Sequence, residues 1–191
     1  IFMIIHKILN PHFEKYLEKL KTKKRESKET LGGLFFAKAK QQVLYIDVEG
    51  PPKKDFSRNY QSGPLSFEYF IDGLKIITNS GFGKNISSKA ELISRLTASQ
   101  STLTINDTSV TRFERNRLIN KIFGNSIKNT FKTNDLKIKD EKDLVGCSIS
   151  HDGYEKNFGC IHKREVYLDC KSNKLIGADY ILKKSDGMPI R

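Results

Sequence analysis

Tryptophan is absent from the chain's 191 residues, methionine appears twice, and apolar residues make up only 37% of the total. A core drawn from this stock has to rely on twelve Phe and seven Tyr, which suits sheet faces where flat rings pack side by side. Cysteine is scarce as well: Cys147, Cys160 and Cys170 form no Cys-x-x-Cys pair and leave one over. That spacing excludes a zinc knuckle and a full disulfide framework, and leaves either one disulfide or buried thiols among strand-like residues. No apolar run is long enough to span a membrane. Residues 1–9 come nearest, but His6 and Lys7 interrupt them and no small-residue cleavage site follows. Repeats and low-complexity segments are missing too, and a chain of this length suits one domain, or one domain with part of another.

Positive charge is what the chain has in excess. Thirty-four Lys and Arg stand against 22 Asp and Glu, a formal charge of +12. Such a balance points to an anionic partner, whether acidic polysaccharide, nucleic acid or anionic lipid, or else to solvated Lys-rich faces. A nucleic-acid partner is not expected, because the chain has neither a Lys/Arg-Gly-Phe/Tyr stacking motif nor a basic recognition helix.

The hydrophobic period changes along the chain. Asn10-Pro11 reads as an N-cap followed by proline at the first helical position, and Phe13, Tyr16, Leu17 and Leu20 recur on one helical face. A helix is expected to about residue 24, dissolving into the charged stretch 21–29. From Leu31 the period becomes two, with strands expected over Leu34–Ala39 and 43–48. Glu49-Gly50-Pro51-Pro52 ends the second, since proline cannot donate to a ladder, and residues 53–64 form a loop. The clearest feature is a hairpin over residues 65–80. Leu65, Phe67, Tyr69 and Ile71 alternate with their neighbours, Asp72-Gly73 supplies a type I′ turn, and Leu74, Ile76 and Ile77 follow.

Beyond it, Ser88 reads as the N-cap of a short helix to Leu96 with Glu91 three residues on, and residues 101–106 as a half-buried strand. Gly81-Phe82-Gly83-Lys84 lacks the spacing of a P-loop. Residues 111–142 read as a basic insertion holding a turn or two of helix, stopped by Gly124. Strand signals resume over 144–150, and His151-Asp152-Gly153-Tyr154 reads as a second Asp-Gly hairpin, with His151 exposed at its end and paired to Tyr154. Residues 155–158, Cys160–Asp169 and 175–183 then complete a meander. The expected fold is mainly β, with about nine antiparallel strands in a sandwich or stacked sheets behind an N-terminal helix.

Four blocks carry a family resemblance. Ser62-Gly63-Pro64-Leu65-Ser66-Phe67-Glu68, Ile77-Thr78-Asn79-Ser80-Gly81, Ser101-Thr102-Leu103-Thr104-Ile105-Asn106-Asp107-Thr108-Ser109 and Ser150-His151-Asp152-Gly153-Tyr154 come in order, followed by Phe158-Gly159 and His162-Lys163-Arg164. Together, over about residues 31–191, they resemble the C-terminal domain of the bacterial heparinase II/III-like proteins. The resemblance implies an N-terminal helical toroid followed by stacked antiparallel sheets. On that basis residues 1–30 are the end of the toroid and a basic linker, and residues 31–191 are the sheet domain, which the chain leaves partway through. It also implies a polysaccharide lyase of the periplasm or cell envelope. In such an enzyme the carboxylate of a uronic acid is neutralised, a base takes the C5 proton and an acid protonates the leaving oxygen.

Departures from the family pattern bear on the site. Where many members carry a catalytic His and a zinc set of two His and one Asp, this sequence has Asn59, Gln61, Asn79 and Gln100. Neutral carboxamides are poor zinc donors, so no metal or other cofactor is expected. The amides are expected to gather as a hydrogen-bonded network at the strand ends, or to contact sugar. Tyr60, His151 and His162 remain as candidates for proton transfer, each also readable as a buried structural residue. Asn59, Gln61, Gln100, Tyr154 and Arg164 are the candidates for substrate contact, since His162 and Arg164, two apart on one strand face, suit a carboxylate. Two readings follow: a lyase whose acid and base lie partly outside this chain, or a non-catalytic domain that binds acidic polysaccharide or serves as scaffold.

Overall fold

Residues 30–190 are described by a computed structural model. The helix expected from Pro11 to about residue 24 lies outside them. Two four-stranded antiparallel meanders follow one another along the chain. The first holds β1 (Leu34–Ala39), β2 (Gln42–Asp47), β3 (Phe67–Ile71) and β4 (Leu74–Ile77), and the second β5 (Thr133–Asp140), β6 (Leu144–His151), β7 (Cys160–Asp169) and β8 (Lys174–Lys183). The stacked antiparallel architecture is therefore the one expected, with eight strands among the described residues rather than about nine.

Period-two burial joins the sheets. Phe35, Ala37, Leu44, Ile46 and Tyr69 of the first pack with Cys147, Ile149, Val166 and Leu168 of the second in one apolar core. Strand β7 alternates buried and half-buried residues along its whole length. A polar link crosses the same layer: fully buried Gln42 accepts from the Tyr69 hydroxyl at 2.5 Å and donates to Asn173 Oδ1 at 3.0 Å, on the β7–β8 turn. All three cysteines are free thiols; Cys147 and Cys160 are buried and Cys170 is half-buried. Among the described residues no helix is long and apolar enough to cross a membrane.

Several local expectations need correction. Asp152-Gly153 makes no two-residue turn: the chain runs on into a single helical turn, Glu155–Phe158, where a strand was expected, Gly159 ends it at φ 63, and only then does β7 return beside β6. The short helix is Ser88–Ser94, capped one residue earlier than expected, because the Ser87 hydroxyl is the group that accepts from Ala90 N–H. Residues 101–106 form no strand. With no neighbouring strand to pair with, their polar groups bond to side chains and loops, as when Thr102 Oγ1 donates to Pro64 O, and Asn106 and Asp107 turn the chain at positive φ. Within 111–142 the helix Arg117–Phe123 and its Gly124 stop are present, but so is the unforeseen strand β5.

Candidate functional site

The β6–β7 register places His151 directly opposite His162, and the β7–β8 register places Arg164 opposite Asp179. Four polar side chains thus share one short stretch of sheet. Gly153 N–H donates to His151 Nδ1 at 3.1 Å, which puts the His151 proton on Nε2, facing His162 Nδ1 at 3.1 Å. His162 then carries its proton on Nε2, 2.8 Å from Asp179 Oδ1. Arg164 grips the same carboxylate with two donors, Nε to Oδ1 at 2.7 Å and Nη2 to Oδ2 at 2.8 Å. Its Nη1 reaches the carbonyls of Leu65 and Ser101 at 2.8 and 2.7 Å, and its plane lies 5.2 Å from the Phe67 ring.

Both imidazoles are fully buried, which corrects the expectation that His151 is exposed. Burial, then the neighbouring His162 and the Arg164 charge, lower the His151 pKa to about 3. Burial alone would raise Asp179, but the hydrogen bonds from His162 and Arg164 outweigh it and hold the carboxyl well below the usual range. The result is a chain of two imidazoles and a carboxylate closed by a guanidinium, with each imidazole nitrogen occupied.

Arg164 carries this row to the amide positions. Asn79 Oδ1 accepts from Ser101 N–H at 2.8 Å and Asn79 Nδ2 donates to Ser66 Oγ at 3.4 Å, while Ser101 Oγ accepts from Phe67 N–H at 2.8 Å. Gln100 donates to Ser94 O at 2.7 Å, and a Cβ on Gly63 would sit 3.0 Å from Gln100 Cγ and 2.9 Å from Ser66 Oγ. Asn79 therefore bonds Ser66, while Gln100 lies near Gly63. Gln61 is half-buried, its carbonyl accepting from Gly63 N–H at 2.8 Å, and Asn59 is exposed. Tyr154 is fully buried and donates to Leu103 O at 2.8 Å, with its ring centre 5.7 Å from that of His151. Tyr60 packs against the second apolar cluster beside Tyr154; its hydroxyl is buried without a hydrogen-bond partner, and burial followed by the Asp47 charge raises its pKa.

Zinc does not fit the positions where the family resemblance would put it. Asn79 Oδ1 and Gln100 Nε2 are already hydrogen-bonded, three carboxamides bring no negative charge, and among the described residues no group of three or more His, Cys, Asp or Glu is disposed to hold an ion.

Three charged residues escaped the sequence reading. Asp179 had a signal: the turn at 170–173 fixes a register that sets it opposite Arg164. Asp47, a lone acid in an apolar run, is pushed up to about 7 by burial. Arg95 is fully buried with no carboxylate partner among the described residues. It donates to Tyr60 O and Ser57 O at 2.8 and 3.0 Å, lies 4.1 Å from the Phe113 ring centre, and so ties three loops together.

One family model, described as heparinase II/III-like, C-terminal, matches residues 23–188. No curated protein and no solved structure matches the chain. The model spans both sheets and every residue of the buried row, so the chain belongs to the heparinase II/III-like C-terminal family.

Proposed function

We propose that the chain works in a polysaccharide lyase that opens uronic-acid polymers by β-elimination. In this reading it is the sheet domain that supports and holds the polymer, while base and acid come from outside the described residues. Family membership and the charge of +12 support the choice of polymer. One observation carries the division of labour: His151 and His162 are fully buried with every ring nitrogen occupied. A base for C5 has to come within hydrogen-bond reach of the sugar, and neither ring offers an open nitrogen. The buried Tyr60 phenol, raised further from ionisation, is no better placed. On this reading the working compartment is the periplasm or cell envelope, where such polymers are met.

Incubating the full natural chain with polygalacturonate, alginate and hyaluronan, and following the ultraviolet absorbance of unsaturated uronate, tests the reading. Product is expected from at least one polymer, with the rate kept in Tyr60→Phe once folded fractions are matched. A loss of about a thousandfold in that variant would bring proton transfer back into this domain. No product from any polymer would leave the second reading, a glycan-binding or structural sandwich without catalysis, which the carboxamides at Gln61, Asn79 and Gln100 favour.

A further inference from the structure

The second sheet turns one face to the first sheet and the other away from it. On the outward face β6 presents Gly146, Ser148 and Ser150, because the alternate residues Cys147 and Ile149 point into the core. The register sets these small residues between longer ones on both sides. Lys139, Gly146 and Tyr167 form one row, Lys137, Ser148 and Glu165 the next, and Ser150 stands opposite Lys163. A strand of small side chains between two taller ones leaves a trough. It encloses about 590 Å³, and its walls stand roughly 10 Å apart, two interstrand spacings. The Tyr167 ring leans over the floor at Gly146, where a Cβ would come within 2.8 Å of Tyr167 Cδ1.

Lys137, Lys139, Lys163 and Lys184 line the trough against Asp135 and Glu165. Lys139 pairs with Glu141 and Lys163 with Glu165, whereas Lys137 and Lys184 have no ion pair among the described residues. Two ammonium groups without an ion pair among the described residues, the nearly buried hydroxyls of Ser148 and Ser150, the latter donating to Asn134 O at 3.2 Å and left with its lone pairs to accept, and an aromatic ring make a surface for a chain that is anionic, rich in hydroxyls and flat on one side. A single ring lying against the floor is not a row of exposed rings spaced for stacked bases.

We infer that this trough on the outward face of the second sheet binds a stretch of acidic polysaccharide. Carboxylates meet Lys137 and Lys184, hydroxyls meet Ser148 and Ser150, and the apolar face of a sugar rests on Tyr167. The inference rests on the lyase reading for the choice of polymer, but the binding step needs no cleavage.

Calorimetric titration of the full natural chain with tetragalacturonate, a linear uronic-acid tetramer, tests it. Binding is expected to weaken as salt rises. Ser148→Leu, which fills the trough from an outward position, and the double variant Lys137→Ala with Lys184→Ala are each expected to weaken it about tenfold. Lys38→Ala with Lys75→Ala, on the first sheet, leaves Kd unchanged. The inference is overturned by undetectable binding, by full affinity in both trough variants, by an equal loss in the first-sheet variant, or by equal binding of neutral maltotetraose or oligothymidylate. Tetramer binding by a chain that releases no unsaturated product from any polymer would sink the lyase reading and leave this site standing.

Discussion

Of the three Asp-Gly dipeptides, those at 72–73 and 152–153 each follow directly on a strand, and these two do different work. At the first, both residues are left-handed (φ 51 and 81) and Ile71 pairs directly with Leu74, so the turn closes a two-residue hairpin. At the second, neither residue has positive φ. Asp152 instead bonds sideways to Lys132, its N–H donating to Lys132 O at 3.1 Å and its Oδ1 accepting from Lys132 N–H at 2.7 Å. Glycine serves backbone conformation at 73 and space at 153, where a Cβ would meet Val110 Cγ1 at 2.3 Å. A turn motif governs its own geometry only when no tertiary partner claims the same groups. The longer second connection also sets the register of β7, and with it the meeting of His151 and His162.

The largest test of this contrast removes the side chain that ties the two regions. Arg164 bonds Asp179 on the second sheet and Leu65 O at the entry to the first hairpin. Truncating it removes the bonds to Asp179, Leu65 O and Ser101 O, but the Asp179 carboxylate is 37% exposed and water can replace part of the loss, so Arg164→Ala is expected to cost about 2–3 kcal/mol in urea unfolding. Lys75, paired at 3.5 Å with Glu68 on the first hairpin's exposed face, is the counterpart. Lys75→Ala is expected to cost under about 1 kcal/mol. Comparable losses in the two variants would mean that the buried row is no firmer than a surface pair.

Acid should separate the two regions next. His151 has a folded pKa of about 3 against about 6.5 for a free imidazole. Below 6.5 the unfolded chain therefore binds a proton that the folded chain refuses. The His151 contribution therefore lowers stability as pH drops from about 6.5 toward 3, by up to about 1.4 kcal/mol per pH unit. Asp179, depressed when folded, adds a further loss once pH falls below the unfolded carboxylate range. Asp47 works in the opposite direction: raised to about 7, it contributes fully below its ordinary 3.8 and loses that contribution as pH rises through 7. His151→Gln retains a donor toward His162 without an imidazole to titrate. The stability of the variant relative to the parent should therefore rise as pH falls from about 6.5 to 3, and a difference that does not change with pH would show that His151 is not the group refusing the proton.

Legibility in the sequence follows the same division. Strands β1 to β4 are readable because alternation, proline stops and turn chemistry agree, and Cys160–Asp169 is readable from its own period of two. Strand β5 is hidden because it is an edge strand with mostly exposed residues, so Leu136 and Ile138 stand among charges and no alternation toward a core appears. Residues 101–106 imitate a strand while their hydrogen bonds go to side chains and loops rather than to a neighbouring strand's ladder. Of the site, His162 and Arg164 on one face follow from strand period alone. His151 does not, because its partner lies across a connection whose course is set by Lys132 and Val110, far away in sequence.

The two glycines give the finest comparison. Gly153→Ala pushes a methyl against Val110 and against His151 Nδ1, 3.0 Å away, at a place where the backbone itself is unstrained. Overpacking of that kind costs about 1–3 kcal/mol, and the upper end is expected because both neighbours are buried. Gly73→Ala forces a β-carbon into the left-handed region at φ 81, for about 1–2 kcal/mol. The second-site changes should then part the two. Val110→Ala, which removes the atom that the new methyl would strike, should recover part of the loss in Gly153→Ala. Gly73→Asn should recover part of the loss at the first turn, because asparagine tolerates that conformation. If Val110→Ala brings no recovery, Gly153 is held by its backbone after all, and the two Asp-Gly sites differ less than their geometry implies.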